Sequence, residues 1–590
     1  MTSKQAPGKR PTNSKNKDSS PTQVAVAKGK QTKVAKNAEA TKAAVARRQS
    51  VPKLIDIFVG AGFRHVPSES IDIDFMGRRG EIDHIFIWEN VVLLCEETAD
   101  KDATKHCTNK IHFHKQIPSH WSRFYREYGA RNQAFVDAVS TYRPNELEVR
   151  QIYYSEEKDI VDAVGDPSPF RILTKAQAFY FGSLVETIRE SAKYELLKYL
   201  GIELHQVGEP RKRGSGVSTD SFPAFALPSA HTNFPDEFTV VSFYADPLSL
   251  LKRAYVMRRD GWENPELSYQ RFVKADKLLG MRRYLREDGQ VFITNLIVTL
   301  PSTATIKDNQ GRPIDPKELQ KKSIVTLELP LELGTVGIVD GQHRVFSYYE
   351  DAAEDAVNDS ISQLRERQNL LVTGVIFPPQ YTPEMRVKFE AGIFLGINDN
   401  QTPVDAQLRQ DLKVIISPET MGSVARTVVN RLSKEGPLAG LLETSQFDPP
   451  DRISTGSLAP HVVETLMRKN GSLYKQWAAG GERDLADGGD RAAYADYCVR
   501  HLKLLLQGAS HNMKAAWRSV PNDGVLSTTV VGGLLLLLER FAREGAAFSK
   551  IDYKSRLQPL ATFDFKGYTG SGWARLANNI YAVVSKRPLT

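Results

Sequence analysis

Two strand-like runs, Glu81 to Trp88 and Val91 to Thr98, are separated by only Glu89 and Asn90. Apolar and aromatic residues dominate both, and a two-residue connection between strands leaves room only for a tight antiparallel hairpin. That connection also fixes the register. With Trp88 opposite Val91, Asp83 lies opposite Glu96 and Glu81 opposite Thr98. Directly opposed Cβ atoms are about 4.5 to 5.5 Å apart, and like charges facing one another there destabilise the sheet unless a cation sits between them. A divalent metal is the simplest such cation, which makes Asp83 and Glu96 candidate Mg²⁺ ligands.

The chain of 590 residues is too long for one core, and roughly 100 to 200 residues per domain gives three or four units. Cys95, Cys107 and Cys498 make no disulfide framework, and no apolar segment near the N-terminus reads as a signal peptide. The longest apolar run, Val525 to Leu538, falls short of the roughly 20 residues that span a bilayer and reads as a buried core helix. These features predict a reducing, cytoplasmic setting and no membrane partner. The net charge of +8 is uneven, because residues 1–50 hold twelve Lys or Arg against Asp18 and Glu39, giving +10 there and −2 elsewhere. This arm has almost no large apolar side chain, so its composition predicts a disordered basic tail suited to polyanions.

An α/β unit is expected over 51–204, with helical spacing from Pro52 to Gly62, the hairpin, and helices over Ser119 to Tyr142 and Thr174 to Leu200. His106, Cys107, His112 and His114 crowd the segment after the hairpin, in a spacing that fits no standard structural zinc pattern. Residues 205–236, with Pro210 to Gly216 and several further prolines, read as a linker. Strands and helices alternate over 237–415, including a cation-rich helix with Lys274, Lys277, Arg282, Arg283 and Arg286. The remainder, 416–590, reads as helical.

Within 237–415 a short apolar strand runs into Asp340, Gly341, Gln342, His343 and Arg344, and a helical pattern follows. Strand, glycine turn and helix bring backbone N–H groups to one point beside an Arg and a His, which suits an anion such as phosphate. An ordinary turn with Asp340 as helix cap accounts for the same residues.

The string Asp340-Gly341-Gln342-His343-Arg344 is the literal signature of the DGQHR-domain family, which includes the DndB proteins of DNA phosphorothioation systems. It is similar to the equivalent turn of the ParB/sulfiredoxin-like fold. Phe292 to Val298 upstream and Phe394 to Val404 downstream, with Asn398 and Gln401, are similar to the family's flanking segments, so the resemblance covers roughly 240–420. It implies that the turn binds ATP, another nucleotide or a DNA phosphate. Arg344 would pair with phosphate, Gln342 and His343 hydrogen-bond it, Gly341 permit close approach, and Asp340 fix the turn or ligate Mg²⁺.

The hairpin resembles the PD-(D/E)xK nuclease core, in which a helix and a strand precede a hairpin carrying Asp and then Glu-x-Lys. Asp83, Glu96 and Thr98 occupy those places, with Glu81 an extra carboxylate. The family lysine is replaced by Thr98, and Lys101 or Lys105 are nearby substitutes. The resemblances together imply an α/β multidomain protein: a restriction-endonuclease-like α/β domain, an α+β DGQHR domain and a helical C-terminal region. Its implied setting is a DNA-modification or phage-defence system, acting on DNA as a Mg²⁺-dependent nuclease or nucleotide hydrolase. The alternatives are a non-catalytic DNA-binding regulator and an assembly factor that tethers DNA-modification enzymes.

The charge distribution generates a test of the tail. Deleting residues 1–50 is expected to weaken DNA binding and flatten its dependence on log salt, without lowering the melting temperature. Titrations at several salt concentrations measure the slope, and an unchanged slope reduces the arm to a solubility tail.

Overall fold

The hairpin forms in the register that its two-residue turn dictates. The computed structural model describes residues 52–157, 160, 168–208, 218–235, 237–257, 262, 270, 272–357, 359–399, 406–443, 451–479, 481 and 483–585. The basic tail and Gln401 lie outside the described residues. Strand β4 (His84–Trp88) pairs antiparallel with β5 (Val91–Thr98) from His84↔Cys95 to Trp88↔Val91. Fully buried Asn90 ties the turn down, donating to the carbonyls of Glu146 and Gln206 and accepting from Gly208 N–H at 2.7 Å.

Around the hairpin, β1 (Arg64–Val66) flanks β4 antiparallel, while β6 (Glu148–Ser155) and β7 (Arg171–Leu173) extend the sheet from β5 in parallel, in the order β1-β4-β5-β6-β7. The small hairpin of β2 (Ile73–Phe75) and β3 (Arg78–Gly80) stands apart. Alternation along β5 buries both faces. Leu93 and Cys95 pack under α1 (Leu54–Gly60) and α3 (Lys175–Ile188), whereas Val92 and Leu94 meet Phe113 of α2 (Ala103–His114) and Phe124, Tyr128 and Phe135. The helix expected over Ser119 to Tyr142 is broken by the Asn132 cap into Trp121–Gly129 and Gln133–Ala138. The one expected from Thr174 breaks at Arg189, whose φ is 48°, before α4 (Lys193–Tyr199).

The second sheet has eight strands. They are β8 (Thr219–Leu227), β9 (Thr239–Ala245), β10 (Ala254–Tyr255), β11 (Leu296–Leu300), β12 (Thr305–Lys307), β13 (Ser323–Pro330), β14 (Val336–Asp340) and β15 (Leu370–Ile376), in the order β10-β14-β11-β15-β9-β8-β13-β12. While 209–217 lie outside the described residues, strand β8 corrects the reading of 205–236 as a linker over Thr219–Leu227. Its Phe222, Ala224 and Ala226 alternate into the core, and Pro223 is tolerated because the β9 ladder begins one residue later, at Ala224. On the cation-rich helix (Ala275–Glu287), Lys277, Arg283 and Arg286 are exposed, whereas Arg282 is fully buried and donates to the carbonyls of Ser347 and Tyr349.

The two sheets share one hydrophobic core, which runs from Leu54 through Leu184 and Phe222 to Ile376. Beyond Thr420 the chain is helical around a second core, with Leu502, Leu505 and Leu506 of the Gly488–Asn512 helix at its centre. The apolar run Val525 to Leu538 is buried there as expected, but as two helices, Thr528–Leu535 and Leu537–Arg543. Among the described residues, no helix is long and apolar enough to cross a membrane.

A buried ion pair joins the segment after β14 to the first unit. Lys193 Nζ lies 3.2 Å from Glu350, and Ser191 Oγ accepts from Glu350 N–H at 2.9 Å. Glu350→Ala leaves the Lys193 ammonium buried, with Glu190 at 3.9 Å. The expected cost is about 2 to 4 kcal/mol, read by calorimetry as a lowered single transition for both sheets. Two separated transitions would show that the sheets melt independently.

Candidate functional site

Asp83 and Glu96 sit at the open end of the hairpin, one position beyond the last ladder pair, on the face that α2 covers. The cation between them is a side chain. Lys110 Nζ lies 2.5 Å from Glu96 Oε2 and 3.5 Å from Asp83 Oδ1. Asp102 caps α2 by accepting from Lys105 N–H, and the helix then carries Lys110 and His114 on one face, four residues apart. His114 Nε2 is 2.7 Å from Glu96 Oε1, and its Nδ1 is 2.8 Å from Gln151 Oε1 on β6.

Glu96 and His114 have no exposed side-chain surface, while Asp83 and Lys110 are partly open at 24% and 17%. Burial pushes the Glu96 carboxyl up, against the pull of the His114 hydrogen bond. Burial works against the Lys110 charge too, but Glu96 and Asp83 outweigh it and hold the ammonium above its ordinary value. Asp83 is itself fixed, because its Oδ2 accepts from Glu97 N–H at 3.0 Å and its carbonyl from Ser68 Oγ.

The other residues expected here are placed differently. Thr98 Oγ1 accepts from Asp100 N–H at 3.1 Å and touches neither carboxylate. Glu81 acts on Lys110 only through its charge. Lys101 and Lys105 are exposed, so the lysine at the carboxylates is Lys110, which sequence reasoning missed. The available signal was the stripe His106, Lys110, His114 at helical spacing. Cys107 is buried, and His106 bonds the Tyr153 hydroxyl at 2.9 Å. Among the described residues, no group of three or more His, Cys, Asp or Glu is arranged to hold a metal. Asp83 and Glu96 are the carboxylates that a divalent ion would use here, and it would meet Lys110 already between them.

On the opposite face of β5, Glu97 Oε2 is 3.1 Å from His84 Nε2, and His84 Nδ1 is 3.3 Å from His65 Nε2. The Glu97 hydrogen bond raises the His84 pKa, and burial lowers that of His65.

At the glycine turn, Gly341 has φ 97° and precedes the single-turn helix α5 (Gln342–Phe346). A Cβ there would stand 2.5 Å from Leu296 Cδ2, so glycine is required by packing and backbone alike. Arg344 is committed inside the turn, donating to Asp340 Oδ2 at 2.9 Å and to the Asn295 carbonyl at 2.6 Å. His343 Nε2 accepts from Lys274 N–H at 3.2 Å. Asn398, on α6 (Pro383–Asp399), donates to the Phe394 carbonyl of its own helix. Asp340 pairs with Arg344 across the turn. The turn and the hairpin carboxylates are separate sites on separate sheets.

No family model, no curated protein and no solved structure matches this chain.

The Arg344 contacts predict a structural cost. Arg344→Ala removes a charge-assisted bond to Asp340 and leaves the Asn295 carbonyl without that donor, an expected loss of about 1.5 to 3 kcal/mol in denaturant unfolding. An unchanged midpoint would release Arg344 for ligand binding alone.

Proposed function

We propose that this is a cytoplasmic, DNA-directed protein of a DNA-modification or phage-defence system, whose hairpin site hydrolyses phosphodiester bonds with Mg²⁺. The observation that carries the reading is the convergence of Asp83, Glu96 and Lys110 at one end of a β-hairpin. The topology supports it: helix α1, strand β1 and, past the small β2–β3 hairpin, the β4–β5 hairpin, followed after three helices by the parallel strand β6. Bound by Asp83 and Glu96, the ion would polarise the phosphate and lower the pKa of its water. Lys110 would then turn from the carboxylates to the phosphate oxygens or the attacking water, doing from α2 what a lysine at the Thr98 position would do. His114, oriented by Gln151, keeps Glu96 aimed into the site.

Binding of ATP, another nucleotide or a DNA phosphate at the Gly341 turn is the second element of the proposal. It rests on the DGQHR string, and the Arg344 guanidinium would have to share or surrender its bond to Asp340.

One observation favours the regulator instead. Lys110 already pairs with both carboxylates, as a counter-ion in a site that only contacts DNA would. Titration with Mn²⁺ and nicking of supercoiled DNA separate the readings. The nuclease reading expects wild-type cleavage, abolished metal binding in Asp83→Ala and Glu96→Ala, and a rate loss of roughly 100-fold or more in Lys110→Ala. If no substrate, modified or unmodified, is cut, and Lys110→Ala binds Mn²⁺ more tightly than wild type, Lys110 is a counter-ion and the nuclease reading fails.

A further inference from the structure

The eight-stranded sheet keeps one face under the shared core and leaves much of the other open. Burial alternates cleanly. On β8, β9 and β13, Ala224, Ala226, Val241, Phe243, Val325 and Leu327 face the core. The intervening residues face outward, and three of them are large and apolar: Ile324 is 77% exposed, Tyr244 60% and Phe225 42%.

Register places these side chains together. Ile324 pairs with Phe225, and Phe225 with Ser242. Tyr244 follows Ser242 by one pleat on the same face, opposite Leu371 of β15, and Pro223 is exposed beside it. A contiguous apolar patch open to water on a sheet face marks a recognition surface more often than a passive one. Helix α6 covers other parts of this face, with Phe389 against Val240 and Val375, and Val387, Ala391 and Phe394 clustered with Val339 and Ile297.

We propose that this face binds unpaired nucleobases of single-stranded nucleic acid. Phe225 and Tyr244 stand on adjacent strands in diagonal register, a separation of roughly 7 to 8 Å that offers two rings to successive bases. Flanking the rings are Thr326 and a chain of polar groups, in which Asn295 donates to Thr373 Oγ1 at 2.9 Å and Thr373 meets Ser242 at 3.2 Å. Charge favours a polyanion. Lys321 and Lys322 are exposed immediately before Ile324. The only carboxylate on this face of β13, β8, β9 and β15 is Glu328, which is paired with Lys307 at 2.6 Å. An acidic protein surface would also meet those lysines, but only a nucleic acid carries a planar ring at every step of its chain to stack on Phe225 and Tyr244 in succession.

The inference rests on the nucleic-acid part of the proposed function and is independent of the hairpin chemistry. It is tested on the full chain in EDTA, at roughly 0.3 M salt to weaken non-specific phosphate attraction. The probes are a fluorescent oligothymidylate and a DNA duplex. Wild type is expected to prefer the single strand. Phe225→Ala and Tyr244→Ala should each weaken that binding roughly 5- to 150-fold, with duplex binding unchanged, and Tyr244→Phe should retain it. Unchanged single-strand binding in the alanine variants, or equal affinity of wild type for duplex, overturns the proposal. So does a change confined to sedimentation, which would make the face a contact between copies of the chain. Because no divalent ion is present, none of these outcomes depends on whether Asp83 and Glu96 support cleavage.

Discussion

An ammonium between two carboxylates holds the open end of the hairpin together. Glu96 is fully buried, and a buried carboxylate is costly unless it is paired and hydrogen-bonded. Lys110 supplies the charge, and His114, backed by Gln151, supplies the hydrogen bond. Removing the lysine would leave Asp83 and Glu96 in like-charge contact at the hairpin end, where the ladder has already stopped. The position of α2 on the sheet is therefore fixed by apolar contact through Phe113 and by ionic contact through Lys110.

The same logic operates between the sheets. Continuous apolar packing from Leu54 to Ile376 makes them one folding body, but apolar contact is non-directional and sets no register between them. Direction comes from Glu350, whose carboxylate meets Lys193, whose N–H donates to Ser191 and whose carbonyl accepts from Glu190 N–H. Glu350 follows α5 closely, so the glycine turn and the α3–α4 corner of the first unit are tied to the same few bonds. Arg282 braces the same segment from within the second unit, holding the carbonyls of Ser347 and Tyr349 from the neighbouring helix.

What the sequence revealed follows from which interactions are local. The hairpin register was legible because a two-residue turn and a period of two leave a single pairing, and that pairing puts Asp83 beside Glu96. The buried character of Val525 to Leu538 was legible from composition, though the break at Leu536 was not. Lys110 was harder to place because its partners lie on another element: the helical stripe His106, Lys110, His114 is visible, but a lysine expected at the Thr98 position is sought along a strand, not across on a helix. Strand β8 was hidden by Pro223 and its serine-rich surroundings. It survives because the proline falls where β9 does not yet pair, a fact set by the neighbouring strand. Arg282 reads as one more cation on a polar helix until the carbonyls that surround it are in place.

The glycine turn shows how far a short string can be explained without a ligand. Gly341 is demanded by a left-handed backbone and by Leu296 behind it. Asp340 and Arg344 form a pair across one helical turn, and the guanidinium also closes the Asn295 carbonyl at the entry to β11. His343 accepts from the Lys274 N–H just before the Ala275–Glu287 helix begins. Asp340, Gly341, His343 and Arg344 thus each have a task in shaping the turn and docking it to its neighbours. An anion drawn to this turn would share Arg344 with Asp340 or displace it, so binding and turn geometry would be coupled through the bond that fixes the strand-to-helix junction.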